Sequence, residues 1–278
     1  MEEKYAKVNG VNLCYLIDGE GFPVVLIHGY GAKKEVWKPQ IVDLSKYFKV
    51  IAYDIRGIGK SERPDYPYTM DILADDLKGL LDFLGIKRAH IIGRSLGGMI
   101  AQNFALKYPE YVEKLVLITT NSGVPDESAV DMMIESAVNE LNLMRENPEK
   151  AFLQKAKLVF HHDFRRKIFS NPEQEFYGGW SLKKQIEESM INPPEEKDLR
   201  NLGNAIKTHN TIGQLDKIKA PTLLIAGSHD RLTPRNVMEL INKKIQNSKL
   251  IVLEKAGHFL NISRAEEVNR LILDFLNK

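Results

Sequence analysis

The sequence predicts a doubly wound α/β sheet, and three observations carry that reading. Short, nearly continuous apolar runs recur along the chain, helix-like patterns fall between them, and the rhythm breaks over one long middle stretch. The runs are Val24–Ile27, Val50–Tyr53, His90–Ile92, Leu115–Ile118, Leu223–Ala226 and Leu250–Leu253, and such runs suit parallel strands covered on both faces. Ahead of them, Tyr5–Val8 and Val11–Tyr15 flank Asn9-Gly10, a pair that tolerates the positive φ angles of a tight turn, which predicts an antiparallel ribbon.

The helices follow from spacing and caps. Between Met70 and Leu84, leucines at 73, 77, 80, 81 and 84 recur every three or four residues, with Thr69 placed to cap the start and Gly85 to end it. Met99–Lys107 reads as a helix, Thr233-Pro234 as an N-cap with proline in the first turn, and Ser263 with Glu266 as a capping box for the last helix. From 121 to 211 the alternation stops. That stretch has helix-like patterns (Met132–Met144, Ala151–Phe160), breaks at Pro148, Pro172 and Pro193-Pro194, and no convincing strand before Pro221. The expected organisation is a core of residues 1–120 and 212–278, with residues 121–211 as a helical lid inserted over one edge of the sheet.

Composition removes several classes of function. The 278 residues are 43% hydrophobic and 27% charged, and 39 Lys plus Arg against 37 Asp plus Glu leave a net charge of +2. Disorder and nucleic-acid binding each need a different balance. No apolar run approaches the roughly 18 residues of a membrane span, and the charged opening does not read as a signal peptide. The single cysteine, Cys14, lies in an apparent strand and reads as a small buried hydrophobe. A cytoplasmic monomer or homodimer without nucleic-acid or membrane partners is expected.

The strongest chemical signal is Gly93-Arg94-Ser95-Leu96-Gly97, directly after a strand and directly before a helix. This is the nucleophile elbow pattern in its required context. Serine is a poor nucleophile at its ordinary pKa, so a base must lie within reach and a third group must orient the base. Of seven histidines, His258 follows the strand Leu250–Leu253 on the same sheet edge as Ser95; His28, His90, His161, His162, His209 and His229 fit the role less well. Asp230, after the strand Leu223–Ala226, supplies an orienting acid in the chain order Ser, Asp, His; Asp126 is a rival. Asp54 reads instead as a loop brace paired with Arg56. The negative oxygen of a tetrahedral intermediate needs preorganised N–H donors, and Leu96 N–H with Tyr30 N–H, or Gly31 N–H as the alternative, suits that need.

Taken together, His28-Gly29, the loop Asp54–Ser61, the elbow at Ser95, Asp230 and His258 resemble the α/β-hydrolase superfamily, in its branch of small esterases, lactonases, carbon–carbon bond hydrolases and cofactor-free haloperoxidases. The resemblance implies an eight-stranded sheet, with a helical cap between strands six and seven that shapes the substrate pocket. Haloalkane dehalogenases and epoxide hydrolases of this fold carry aspartate at the elbow, so Ser95 argues against both. Arg94 departs from the family, whose residue there is commonly histidine, asparagine or small and polar; it either pairs with an acid behind the elbow or binds an anionic substrate. Trp180 either lines the pocket or packs the lid.

His161-His162 does not read as a metal site, because adjacent histidines on a helix diverge and lack a partner at ligand spacing. No cofactor is expected. The leading expectation is a serine carboxylesterase acting on a small-molecule ester or lactone through Ser95, with Gly31, Arg94 and Trp180 as substrate-binding residues. A carbon–carbon bond hydrolase of ring-cleavage diketo acids, and a ligand receptor on the same fold, are the alternatives.

Overall fold

The structure is a computed structural model and describes residues 2–124 and 126–278. In chain order its elements are β1 (Glu3–Val8), β2 (Val11–Asp18), β3 (Pro23–Ile27), α1 (Lys38–Leu44), β4 (Lys49–Tyr53), α2 (Met70–Phe83), β5 (Ala89–Arg94), α3 (Leu96–Lys107) and β6 (Val112–Ile118). Among the described residues, five helices follow without a strand: α4 (Glu127–Glu146), α5 (Pro148–Val159), α6 (His162–Ser170), α7 (Leu182–Met190) and α8 (Glu196–Lys207). The chain then returns through β7 (Thr222–Gly227), α9 (Arg235–Lys244), β8 (Ser248–Leu253), α10 (Leu260–Ser263) and α11 (Ala265–Leu276).

The eight strands form one sheet in the order β1-β2-β4-β3-β5-β6-β7-β8. β1 pairs antiparallel with β2 through the Asn9-Gly10 turn, where both residues have positive φ (47° and 77°). β2 is antiparallel to β4, and every pairing from β4 to β8 is parallel. The apolar runs explain this arrangement, because alternate residues of one strand fill two different cores. Val25, Ile27, Ile91, Leu115, Leu117 and Leu224 pack on one face with α2, α3 and α9. Val24, Leu26, Ile92, Val116, Leu223 and Ile225 pack on the other with α1 and α11. A strand that is buried on both sides has no polar face to show.

Two predicted caps are corrected. Thr69 caps α2 through Ile72 N–H as expected, but Thr233 does not cap α9, whose N-cap is Pro234. The Thr233 hydroxyl faces Asp230 instead, 2.6 Å from Oδ2. Ser263 forms no capping box either, since its hydroxyl donates to Phe259 O at 3.2 Å and Arg264 stands at the N-cap of α11 without a side-chain bond.

The ion pair expected between Asp54 and Arg56 is also corrected. Asp54 is fully buried and accepts from Lys34 Nζ at 2.9 Å, Lys34 N at 2.8 Å and Lys60 N at 2.9 Å, while Arg56 pairs with Asp76. The physical reason is loop direction: Gly57 and Gly59, both at positive φ, fold the loop back so that Gly59 backs onto the Asp54 carboxylate. Lys34 is 1% exposed and offsets that charge. Removing one member of a buried pair leaves the other charge uncompensated, so Lys34→Met is expected to lower unfolding stability by roughly 3–5 kcal/mol in urea titrations. Lys46→Met, at an exposed pair with Asp43, is expected to leave the unfolding midpoint unchanged.

Candidate functional site

Four loops leave the C-terminal ends of parallel strands on one edge of the sheet, and each carries a residue the sequence singled out. Tyr30 follows β3, Ser95 follows β5, Asp230 follows β7 and His258 follows β8.

Ser95 joins β5 to α3 with no intervening residue and has φ 54° and ψ −120°, a backbone conformation that side-chain-bearing residues rarely adopt. The glycines around it are demanded by contact. A methyl group at Gly93 would sit 2.2 Å from Gly97 O, and one at Gly97 would sit 2.0 Å from Ile27 O. Ser95 N–H donates to Ile118 O at 3.0 Å, and Ser95 O accepts from the Thr120 hydroxyl at 2.8 Å. These bonds tie down the main chain and leave the Ser95 hydroxyl uncommitted among the described residues.

The Asp230 and His258 loops are laced together. His229 N–H donates to Ala256 O, Lys255 N–H donates to the Ser228 hydroxyl, and a methyl at Gly227 would come within 2.5 Å of Ala256 O. His258 Nδ1 lies 2.8 Å from Asp230 Oδ2, with both side chains buried. Asp230 is saturated: Oδ2 also accepts the Thr233 hydroxyl, and Oδ1 accepts the Leu232 and Thr233 amides at 2.8 and 3.0 Å. Burial alone would raise the Asp230 carboxyl, but the adjacent His258 and the hydrogen bonds from His258 and Thr233 outweigh it and hold the group below its ordinary value. An ionised acceptor on Nδ1 keeps the proton there and leaves Nε2 as the basic nitrogen.

Near β3 the geometry orients an amide. His28 Nε2 accepts from Ile55 N–H at 3.1 Å, so Nδ1 carries the proton and donates to Gly29 O at 2.9 Å. Ala32 N–H also donates to Gly29 O. Two donors on one carbonyl fix its peptide plane, and in a trans peptide the Tyr30 N–H points the opposite way. Tyr30 N–H, Gly31 N–H and Leu96 N–H have no protein acceptor among the described residues. Gly31 has φ 63°, and the Tyr30 hydroxyl donates to Leu199 O of α8 at 2.7 Å, which ties this turn to the helices between β6 and β7.

The other candidates fall as follows. Arg94 is 1% exposed, beside the elbow, with its guanidinium stacked 4.1 Å from the centre of the Phe259 ring. It pairs with no acid among the described residues, which corrects the expected ion pair: the nearest acidic influence is Asp230, already engaged with His258. Burial pulls the guanidinium down to about 10, against the opposing pull of Asp230, so it stays cationic at neutral pH. Trp180 is 9% exposed and packs among Phe160, Phe164 and Phe176, with its indole N–H donating to Gln185. Asp126 caps α4 through Ala129 N–H, away from the site.

His90 and His209 are buried and neutral, each pulled down to about 4 by burial. His161 caps α6 rather than lying in it, so the ligating atoms of His161, His162 and Asp163 fall within 4.8 Å of one another; the expected divergence of the two histidines is corrected on that point. Thr233 is a partner of the Asp230–His258 pair that sequence reasoning assigned to a helix cap. Its place three residues after Asp230, a spacing at which short polar side chains bond local backbone and one another, was the available signal.

A family described as alpha/beta hydrolase fold matches residues 23–265, and the chain belongs to it. Among its relatives, a poly(3-hydroxyalkanoate) depolymerase of Ectopseudomonas oleovorans is 32% identical, the match covering 92% of this chain and 84% of the relative. A 2-hydroxy-6-oxononadienedioate/2-hydroxy-6-oxononatrienedioate hydrolase of Burkholderia vietnamiensis is 31% identical over 92% of this chain and 87% of its own. The crystal structure of the enol-lactonase from Burkholderia xenovorans superposes with a TM-score of 0.83 at 27% identity, covering 99% of this chain and 100% of the other. The chain is therefore a hydrolase of this family, and no helix among the described residues is long and apolar enough to cross a membrane.

The Asp230 environment predicts a pH signature. A carboxyl depressed in the folded state contributes stability above its unfolded value, near 4, and that contribution is lost as pH falls through the lower folded value. The stability difference between wild type and Asp230→Asn is expected to be full at pH 7 and to shrink at pH 3. A difference in urea midpoints that is the same at both pH values would contradict the ionised, bonded carboxylate.

Proposed function

We propose that the protein is a serine carboxylesterase-type hydrolase that cleaves small carboxylic esters or lactones through an acyl-enzyme on Ser95. The observation that carries the proposal is the buried His258–Asp230 pair at 2.8 Å, on the same sheet edge as a serine held at φ 54°.

The chemistry follows from these groups. Ser95 Oγ attacks the carbonyl carbon as its proton passes to His258 Nε2, and the carbonyl oxygen becomes an oxyanion facing the Tyr30 and Leu96 amides. Such donors act most strongly where charge develops, at the positive end of α3 in a dry site. Collapse of the intermediate breaks the ester C–O bond, and His258 returns the proton to the leaving oxygen. Water then attacks the acyl-enzyme, gives its proton to His258, and the acid leaves as Ser95 Oγ is reprotonated. Asp230 holds the imidazole and stabilises its cation without taking the proton. In ligand-free hydrolases the bond from nucleophile to base commonly closes only with substrate, so an uncommitted hydroxyl suits this role. The helices α4–α8 serve as the lid, with Gly31, Arg94 and Trp180 contributing to the substrate site or its walls.

A second reading, carbon–carbon bond hydrolysis of ring-cleavage diketo acids, is favoured by one observation: the buried cation of Arg94 next to Ser95. The Burkholderia vietnamiensis relative bears a name of that kind. Steady-state rates on p-nitrophenyl esters from acetate to decanoate separate the readings. The esterase reading predicts rapid turnover that falls by about 10⁴-fold or more in Ser95→Ala. Weak ester turnover with rapid cleavage of a vinylogous diketo acid would favour the second. A burst that stops after one equivalent would indicate a receptor-like protein.

A further inference from the structure

The buried guanidinium of Arg94 is a charge without an account in the fold. Its Nε and Nη1 atoms are fully buried and have no hydrogen-bond partner among the described residues. Asp230, the acid that influences it, has both oxygens occupied by His258, Thr233 and Leu232, so it offers a field and no free acceptor. Phe259 covers one face of the guanidinium at 4.1 Å, which supplies cation–π attraction and no acceptor either. His28, which also feels Arg94, is held neutral by burial and already spends both ring nitrogens on Ile55 and Gly29. An arginine buried in this state costs far more than an apolar residue of the same size.

Its position is as informative as its state. A methyl group at Gly29 would sit 3.2 Å from Arg94 Nη2 and 3.2 Å from Ser95 Cβ. The guanidinium and the serine side chain therefore meet at the same bare stretch of main chain, in the turn that also presents the Tyr30 amide. Glycine at 29 lets both side chains approach the main chain this closely.

We propose that Arg94 is an anion-recognition residue, and that the physiological substrate carries a carboxylate that seats on its guanidinium while the scissile carbonyl lies at Ser95. The inference rests on the Ser95 reading and narrows its substrate class from neutral esters and lactones to those with an acidic group. A carboxylate is the chemistry that fits, since its two oxygens match paired N–H donors of a planar guanidinium. The seated carboxylate supplies the acceptors the fold withholds, and the desolvated charge of the free site makes discrimination against neutral analogues large.

The test compares matched substrates. Glutarate, adipate and pimelate mono-p-nitrophenyl esters are assayed against p-nitrophenyl valerate, hexanoate and heptanoate, which replace the terminal carboxylate by methyl. Wild type is expected to favour at least one hemiester over its neutral partner by about 10- to 100-fold in kcat/KM, the range of one charge-assisted hydrogen bond, and Arg94→Gln to bring that ratio close to one. Neutral esters turned over as fast as or faster than every hemiester, or an unchanged ratio in Arg94→Gln, would overturn the anion site and leave the serine mechanism standing.

Where neither class turns over, the serine reading itself fails and the anion site is read by binding. The wild-type melting temperature is expected to rise with glutarate or adipate and not with glutaramide or adipamide. The same contrast decides the matter if Arg94→Gln does not fold, and equal or absent shifts with the dicarboxylates and diamides would overturn the proposal.

Discussion

The site depends on a steric constraint: a strand must turn into a helix at a single residue. β5 ends at Arg94, α3 begins at Leu96, and Ser95 takes the whole change of direction at φ 54°. A left-handed backbone on a residue with a side chain costs of order 1–3 kcal/mol, and the surrounding main chain over-determines it. Ile118 O holds the Ser95 amide, Thr120 holds its carbonyl, and the backbone of Gly97 and Ile27 occupies the space where side chains on Gly93 and Gly97 would stand. The strain lifts the hydroxyl off the sheet and puts the Leu96 amide at the start of α3. Thr119, also at positive φ (42°), continues the same line and donates its hydroxyl to His258 O, so the elbow, the end of β6 and the His258 loop form one connected backbone assembly.

Three buried ion pairs stand on this edge of the sheet among the described residues. Asp54 meets Lys34 beneath the β3 turn, Arg56 meets Asp76, and Asp230 meets His258. The first ties the segment after β3 to the loop after β4, the second ties that loop to α2, and the third orients an imidazole. Arg94 stands apart, stacked on Phe259, whose other neighbour Phe160 begins an aromatic cluster running through Phe164 to Trp180. The helices between β6 and β7 are thereby coupled to the His258 loop by ring packing and by Phe259 N–H donating to Val159 O, which joins the packing of those helices to the position of His258.

Local patterns with steric necessity behind them were legible in the sequence. The doubly buried strands, the Asn9-Gly10 turn, the Thr69 cap and the elbow each rest on residues that leave the chain few alternatives. The proximity of Asp230 to His258 was legible for a related reason, since parallel strands deliver their following loops to one edge. What the sequence hid was partner choice among polar groups. Arg56 is two residues from Asp54 yet pairs with Asp76, and Lys34, distant in sequence, takes its place. Thr233 had the pattern of an N-cap, but its hydroxyl donates to the carboxylate three residues earlier and accepts no amide of α9. Arg94 could be read only as a departure from the family, because the absence of an acid beside it is a property of the folded chain. Such choices are settled by tertiary proximity, to which spacing along the chain is blind.

A serine mechanism requires that Ser95 become covalently attached to the acyl group. The most direct measurement is intact and peptide mass spectrometry after brief exposure to an active-site-directed fluorophosphonate, in which the serine oxygen displaces fluoride from phosphorus and the adduct is stable. One adduct per chain is expected, on the peptide containing Ser95, with labelling much slower in His258→Asn. An unlabelled protein that hydrolyses esters, or an adduct on a different residue with activity lost in step, would contradict it.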